Sequence, residues 1–202
     1  MTTHCLQFNW CFWEQQVADK RKITDNSDWK SLQKHLCTFN SVEDFWFYYR
    51  ALPPPSSVFY DGKNRERRRV GKEGEDRVIE TFSLFKKDIE PSWEDDANIR
   101  GGEFWLRKSF PQEKLDRLWD NLVLGLVGCT IEKGDEITGA RVVDKSKPGE
   151  GRTIVKIEIW LRSKDPSTRN GLLEKACLTM CDGDKDRAQE LQRDFQWKVH
   201  GV

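Results

Sequence analysis

Residues 6 to 13, "LQFNWCFW", place Leu6, Phe8, Trp10 and Phe12 at every second position, the period of a strand with one buried face. The pattern changes at Ser41. There "SVEDFWFYYRAL" sets Phe45, Tyr48, Tyr49 and Leu52 on one helical face, and Ser41 with Asp44 forms a Ser-x-x-acid capping box. The prolines at 53 to 55 end that helix, because proline has no amide to donate and disfavours helix in the residue before it. From residue 57 the chain reads as a strand, a basic glycine-containing excursion and a second strand at 78 to 86, with another in "GEFWLRKSF". Leu115, Leu118, Trp119, Leu122 and Leu126 recur at helical spacing after Ser109 and Pro111, and Gly128 follows as a stop. "ITGARVVD" and "TIVKIEIWLR" pair as strands joined by "KSKPGEGR", and "FQWKV" closes as a short strand. Between them Asp165 caps a third helix with Leu172, Leu173, Ala176, Cys177 and Met180 inward. Bunched strands with short turns and three irregularly placed helices predict an α+β fold, an antiparallel sheet with helices on one face.

A length of 202 residues suits one well-buried core, so a single domain over 1–202 is expected, with 63–77 as a flexible basic insertion. Lys plus Arg and Asp plus Glu number 34 each, which removes bulk attraction to nucleic acid or to an anionic membrane. A site for a polyanion must be local. No apolar run approaches the roughly 20 residues of a membrane span, and the opening "MTTHCLQFNW" lacks the basic and apolar regions of a secretory signal. The six cysteines form no CxxC pair, so free thiols in a reducing compartment, cytosol or nucleus, are expected, with no metal and no cofactor. Cys177 and Cys181 share a helix face, which small buried residues explain better than metal ligation.

Two tryptophans lie outside every stripe. Trp93 sits in "IEPSWEDD", directly before Glu94, and Trp29 sits in "NSDWKSL". On the strand at 153 to 161, Val155, Ile157, Ile159 and Leu161 make the core-facing set, which turns Lys156, Glu158 and Trp160 to the opposite side. The adjoining hairpin adds Lys145, Lys147 and Arg152. A basic hairpin tip is ordinarily just solvated; flat indoles and a carboxylate beside it change its meaning. A neutral base stacked on indole gains roughly 1–3 kcal/mol, a cationic base gains about 2 kcal/mol more when desolvated, and the guanine edge offers a carboxylate two adjacent N–H donors. The composite ligand is a cationic, alkylated guanine bearing phosphates, as in the 7-methylguanosine triphosphate cap of messenger RNA. Two rivals stand beside it: a cap-hydrolysing enzyme, for which Asp95 and Asp96 are the nearest metal-binding carboxylates, and an interaction module with structural tryptophans. No catalytic constellation is recognisable; no Gly-rich loop precedes a helix and no zinc-deaminase signature occurs.

"HCLQFNWCFW" (4–13), "VEDFWFYY" (42–49), "FKKDIEPSWEDDANIRGGEFWL" (85–106), "LDRLWDNLVLGLVG" (115–128) and "IEIWLR" (157–162) resemble, in order, segments of the messenger-RNA cap-binding translation initiation factors of the 4E family. The resemblance implies a curved sheet with helices on its convex face and the ligand slot on the other side. It implies that Trp29 and Trp93 sandwich the base, Glu94 takes the guanine edge, and Trp160 lies near the N7-methyl group. Lys145-Ser146-Lys147 stands where the family has Arg-x-Lys, so a bidentate fork is replaced by a point charge, with Lys156 and Arg152 as further phosphate contacts. The partners implied are capped mRNA and a scaffold or repressor helix. That helix would bind a dorsal surface of Val42, Trp46 and Leu124, where Asp120 and Asn121 replace an apolar residue and a glutamate. Arg65, Arg67, Arg68 and Arg69 in the insertion suit phosphates downstream of the cap.

Overall fold

The structure, a computed structural model, describes residues 3–17, 30–60, 69–71, 77–147 and 151–201. Its strands are β1 (Cys5–Gln16), β2 (Gln33–Ser41), β3 (Arg69–Val70), β4 (Arg77–Lys86), β5 (Gly102–Lys108), β6 (Ile137–Asp144), β7 (Val155–Leu161) and β8 (Gln196–Val199). They form one curved, unclosed antiparallel sheet in the order β2-β1-β4-β6-β7-β5-β8, with β3 paired to β4. The helices are α1 (Val42–Tyr49), α2 (Pro55–Val58), α3 (Gln112–Val127), α4 (Pro166–Met180) and α5 (Lys185–Asp194).

One face of the sheet meets the helices. Trp10, Phe12, Leu84, Ala140, Val142, Ile157 and Leu106 pack there against Phe45, Leu115, Leu118, Leu122 and Cys177. The inward set expected for β7, Val155, Ile157, Ile159 and Leu161, is wholly buried in this core. The predicted caps form: the Asp44 amide donates to Ser41 Oγ at 3.1 Å and the Thr168 amide to Asp165 Oδ2 at 2.8 Å. On the opposite face a smaller cluster joins Phe85, Ile89 and Trp160.

Four features depart from the sequence reading. Strand β2 was not expected: only Cys37, Phe39 and Ser41 of it point inward, and its exposed positions include Lys34, His35, Thr38 and Asn40, the composition of an edge strand. The strand expected from residue 57 is instead α2, a single turn begun by Pro55 and held by the Ser56 amide donating to Asp116 Oδ1 at 2.9 Å. Helix α5 presents only Ala188 and Leu191 to the core, too little for an apolar stripe. The basic insertion also begins and ends differently. Arg69 and Val70 pair with Val78 and Arg77, and Arg77 opens β4 with its guanidinium on Glu14; Arg65, Arg67 and Arg68 lie outside the described residues. Among the described residues no helix is long and apolar enough to cross a membrane.

Candidate functional site

The segment between β4 and β5 crosses the face of the sheet that the helices leave open. It is built as a rigid loop. Asp95 accepts the amides of Glu90 and Ala97, both at 2.9 Å, and Asn98 Nδ2 donates to the carbonyls of Glu90 and Ser92 at 3.1 and 2.8 Å. Ile89 enters the small cluster with Phe85 and Trp160, and His200 Nδ1 lies 3.0 Å from the Asn98 carbonyl. Asp95, considered above as a metal-binding carboxylate, thus has its oxygens committed to loop amides. On this frame Trp93 is 51% exposed, and Glu94 beside it is exposed too.

Trp29 lies outside the described residues. Its neighbour Lys30 pairs with Glu90 Oε2 at 3.0 Å, and Gln33 Nε2 donates to the Pro91 carbonyl at 3.2 Å. The chain immediately following Trp29 is therefore fastened to the loop that carries Trp93.

Trp160 points away from the helices as its strand parity requires, but it is only 2% exposed. An open ligand-facing ring is not what the structure contains. Phe85 meets its ring edge-on at 5.4 Å and His200 lies 4.5 Å from it, while its indole N–H donates to Glu158 Oε2 at 2.9 Å. Gly139, paired across the strands with Trp160, permits this packing: a Cβ there would fall 2.5 Å from the Leu84 carbonyl oxygen and the Phe85 ring.

The cations are less bare than the sequence suggests. Lys156 Nζ contacts Glu103 Oε1 at 2.8 Å and Glu158 Oε1 at 2.7 Å, because the register sets Glu103 and Glu158 on the same face. Burial opposes the charge of Lys156, and the two carboxylates outweigh it, so its pKa is raised. Burial likewise opposes ionisation of Glu103, but hydrogen bonds from His200 and Lys156, with the Lys156 charge, bring its pKa down to about 2. Lys145 lies 3.7 Å from Glu80, and its amide donates to the Ile154 carbonyl at 2.8 Å, which closes the expected hairpin. Lys147 and Arg152 are exposed at its tip. Two cations escaped the sequence reading. Arg107 pairs in register with Lys156 and reaches the Lys145 carbonyl at 3.4 Å; Arg141 lies beside Glu158 on β6. Strand parity around Lys156 could have found both.

On the helical side, Val42, Trp46 and Leu124 are partly exposed, and Phe47, not singled out above, is 75% exposed. The Arg50 guanidinium stands 5.4 Å from the Trp46 ring centre. Asp120 accepts from the Tyr49 hydroxyl, and burial with this bond raises the Tyr49 pKa. Asn121 Nδ2 donates to the Met180 carbonyl at 3.1 Å and to Asp182 Oδ1 at 2.9 Å. Asp120 and Asn121 thus also tie α3 to its neighbours.

A family signature described as Eukaryotic initiation factor 4E matches residues 5–190. Translation initiation factor 4E-1 of Prunus domestica is 31% identical over 178 residues, covering 88% of this chain and 62% of that protein. The 4E1 factor of Drosophila melanogaster is 33% identical over 201 residues, 98% of this chain and 62% of its own length. The chain therefore spans about three fifths of these relatives. Among solved structures, C. elegans eIF4E-3 in complex with the 4E-binding protein Mextli aligns with a TM-score of 0.66 at 24% identity, over 99% of this chain and 95% of that one. Ascaris suum eIF4E-3 with m7G cap aligns with a TM-score of 0.66 at 24% identity, over 98% and 92%. The continuous match over strands, loop and helices places this chain in the eukaryotic initiation factor 4E family.

Proposed function

We propose that this protein binds the 7-methylguanosine cap of messenger RNA, without turning it over, in translation initiation or its regulation. The observation that carries the reading is the exposed Trp93 and Glu94 pair on a loop whose backbone is fixed by Asp95 and Asn98. An exposed indole on a rigid frame binds a flat cation with little ordering cost, and a carboxylate one residue away can take the guanine N–H pair. Trp29 supplies the second wall; the Lys30–Glu90 and Gln33–Pro91 contacts support that placement. Trp160 acts as the buried floor that shapes the slot. Lys145, Lys147, Arg152 and Arg107 form the phosphate edge, with Lys156 available only through exchange of a carboxylate partner. Arg69, with Arg65, Arg67 and Arg68, is assigned to RNA beyond the cap.

The relative from C. elegans was solved with a 4E-binding protein and those from Ascaris suum with m7G and m2,2,7G caps. By extension, the partners here are capped mRNA and a helix on Val42, Trp46 and Leu124, to which we add Phe47. A cytoplasmic place of action follows from that role.

Intrinsic tryptophan fluorescence tests the reading by titration with 7-methylguanosine triphosphate and with GTP, followed by product analysis. Strong quenching by the methylated ligand, weak quenching by GTP and an intact ligand are expected. Equal responses would remove the cationic-base argument, turnover would move the protein among enzymes, and no response to either would favour a pure interaction module.

A further inference from the structure

The floor of the slot holds a cation that the assignments above leave unused. Arg141 lies on β6, on the face opposite the helices, with its side chain 16% exposed. Its guanidinium stands 5.6 Å from the Trp160 ring centre, donates to Gln15 Oε1 at 3.1 Å and approaches Glu158 Oε2 only to 3.7 Å. Its Nε is buried without a hydrogen-bond partner. A buried guanidinium N–H left unpaired costs free energy unless something else accepts from it.

Position along the sheet says what that acceptor is. Gly139 pairs with Trp160, Arg141 with Glu158 and Val143 with Lys156, and Lys145 follows at the hairpin. Arg141 therefore stands one pleat repeat, about 7 Å, from the Trp160 level and about the same from the Val143–Lys156 level. A nucleotide whose base lies against Trp93, in a slot floored by the buried Trp160, and whose terminal phosphates reach Lys145 and Lys147 would pass this point with its first phosphate. The neighbouring charge supports the role: Glu103 and Glu158 hold Lys156 at 2.8 and 2.7 Å, which leaves Arg141, among the described residues of β6 and β7, the less tightly paired cation on this face. Glu158 takes a hydrogen bond from the Trp160 indole and pairs with Lys156 at 2.7 Å, which leaves Arg141 the more weakly held member of the group.

We infer that Arg141 binds the α-phosphate of the cap, its guanidinium turning from the 3.7 Å approach to Glu158 so that the buried Nε–H meets a phosphate oxygen in a charge-assisted hydrogen bond. The inference rests on the cap-binding reading above. It makes α-phosphate recognition in this chain a property of β6 as well as of the β6–β7 hairpin.

The test compares three probes, 7-methylguanosine, its 5′-monophosphate and its 5′-triphosphate, against wild type, Arg141→Gln and Arg141→Lys. Calorimetry gives the affinities, and circular dichroism melts show that each variant is folded. Arg141→Gln is expected to weaken the monophosphate and the triphosphate about tenfold and leave the nucleoside unchanged; Arg141→Lys should recover part of the loss. An equal loss for all three probes would make Arg141 a structural residue, and no loss for either phosphorylated probe would overturn the assignment while leaving cap binding intact. If Arg141→Gln does not fold, the Arg141→Lys phosphate-to-nucleoside ratio decides alone, an unchanged ratio overturning the assignment. A folded wild type that binds none of the probes overturns the underlying reading and this inference with it.

Discussion

At the scale of single residues, what distinguishes the site is which polar groups are committed to the fold and which are left to a ligand. Asp95 and Asn98 hold loop backbone, whereas Trp93 is half exposed. Trp93→Ala is expected to abolish measurable cap binding, since stacking and cation–π attraction together contribute roughly 3–5 kcal/mol. Glu94→Ala should do the same, and Trp29→Phe should only weaken binding, because a phenyl ring keeps a face with a smaller quadrupole. Calorimetric titration of the three variants checks this order. Asp95→Ala should lower stability by about 2 kcal/mol through two lost charge-assisted bonds and weaken binding without touching the base; denaturant melts and the same titration separate the two effects. The exposure of Trp93 was legible in the sequence, because an indole outside any apolar stripe has no core to explain it. The burial of Trp160 was not: parity gives the face of a side chain, and only the tertiary path of residues 87–101 decides whether something covers it.

At the scale of elements, contacts between separate segments position the site and its surroundings. The Lys30–Glu90 pair joins the segment after Trp29 to the Trp93 loop, with both side chains about half exposed at 53% and 52%. Exposed pairs are screened by solvent and contribute little, so Lys30→Ala should reduce cap affinity only slightly, and added salt should erase the difference; larger losses in affinity measurements would mean the pair organises the slot more deeply. On α3, Asp120 is held by Tyr49 and Asn121 by the end of α4, so neither can be exchanged without disturbing packing. The amphipathic periods of α3 and α4 were readable because each buries a continuous stripe, and α1 was readable from its capping box and from Phe45, Tyr48 and Tyr49 on one face. Strand β2 and helix α5 were not, because each buries only two or three side chains and gains its place from neighbours already formed.

At the scale of the whole molecule, a formally neutral chain gathers ionisable side chains in one largely buried group, Glu103, Lys156, Glu158 and Arg141, with His200 beside Glu103, where β5, β6 and β7 meet the segment after β8. Glu103 is depressed to about 2 in the fold and titrates near 4.3 when unfolded. Its contribution to stability is therefore present above about pH 4.3 and is lost as pH falls toward 2. Thermal melts of wild type and Glu103→Gln across pH 2 to 7 should differ most near neutrality and converge in acid; a constant gap would contradict the assignment. The central strands of the antiparallel sheet and its helix-covered face followed from hydrophobic period and turn residues, while edge strand β2 and the charge network did not. Lys156 read as a phosphate cation until strand register brought two carboxylates beside it.

The central claim, that a methylated guanine is recognised because methylation makes it a cation against indole, is tested most directly by a crystal structure of the protein with 7-methylguanosine triphosphate. The account predicts the base lying flat between Trp93 and Trp29, its N–H edge on Glu94 and its phosphates running toward Arg141, Lys145 and Lys147. A base bound elsewhere, or one in the slot that meets neither indole face-on, would contradict it.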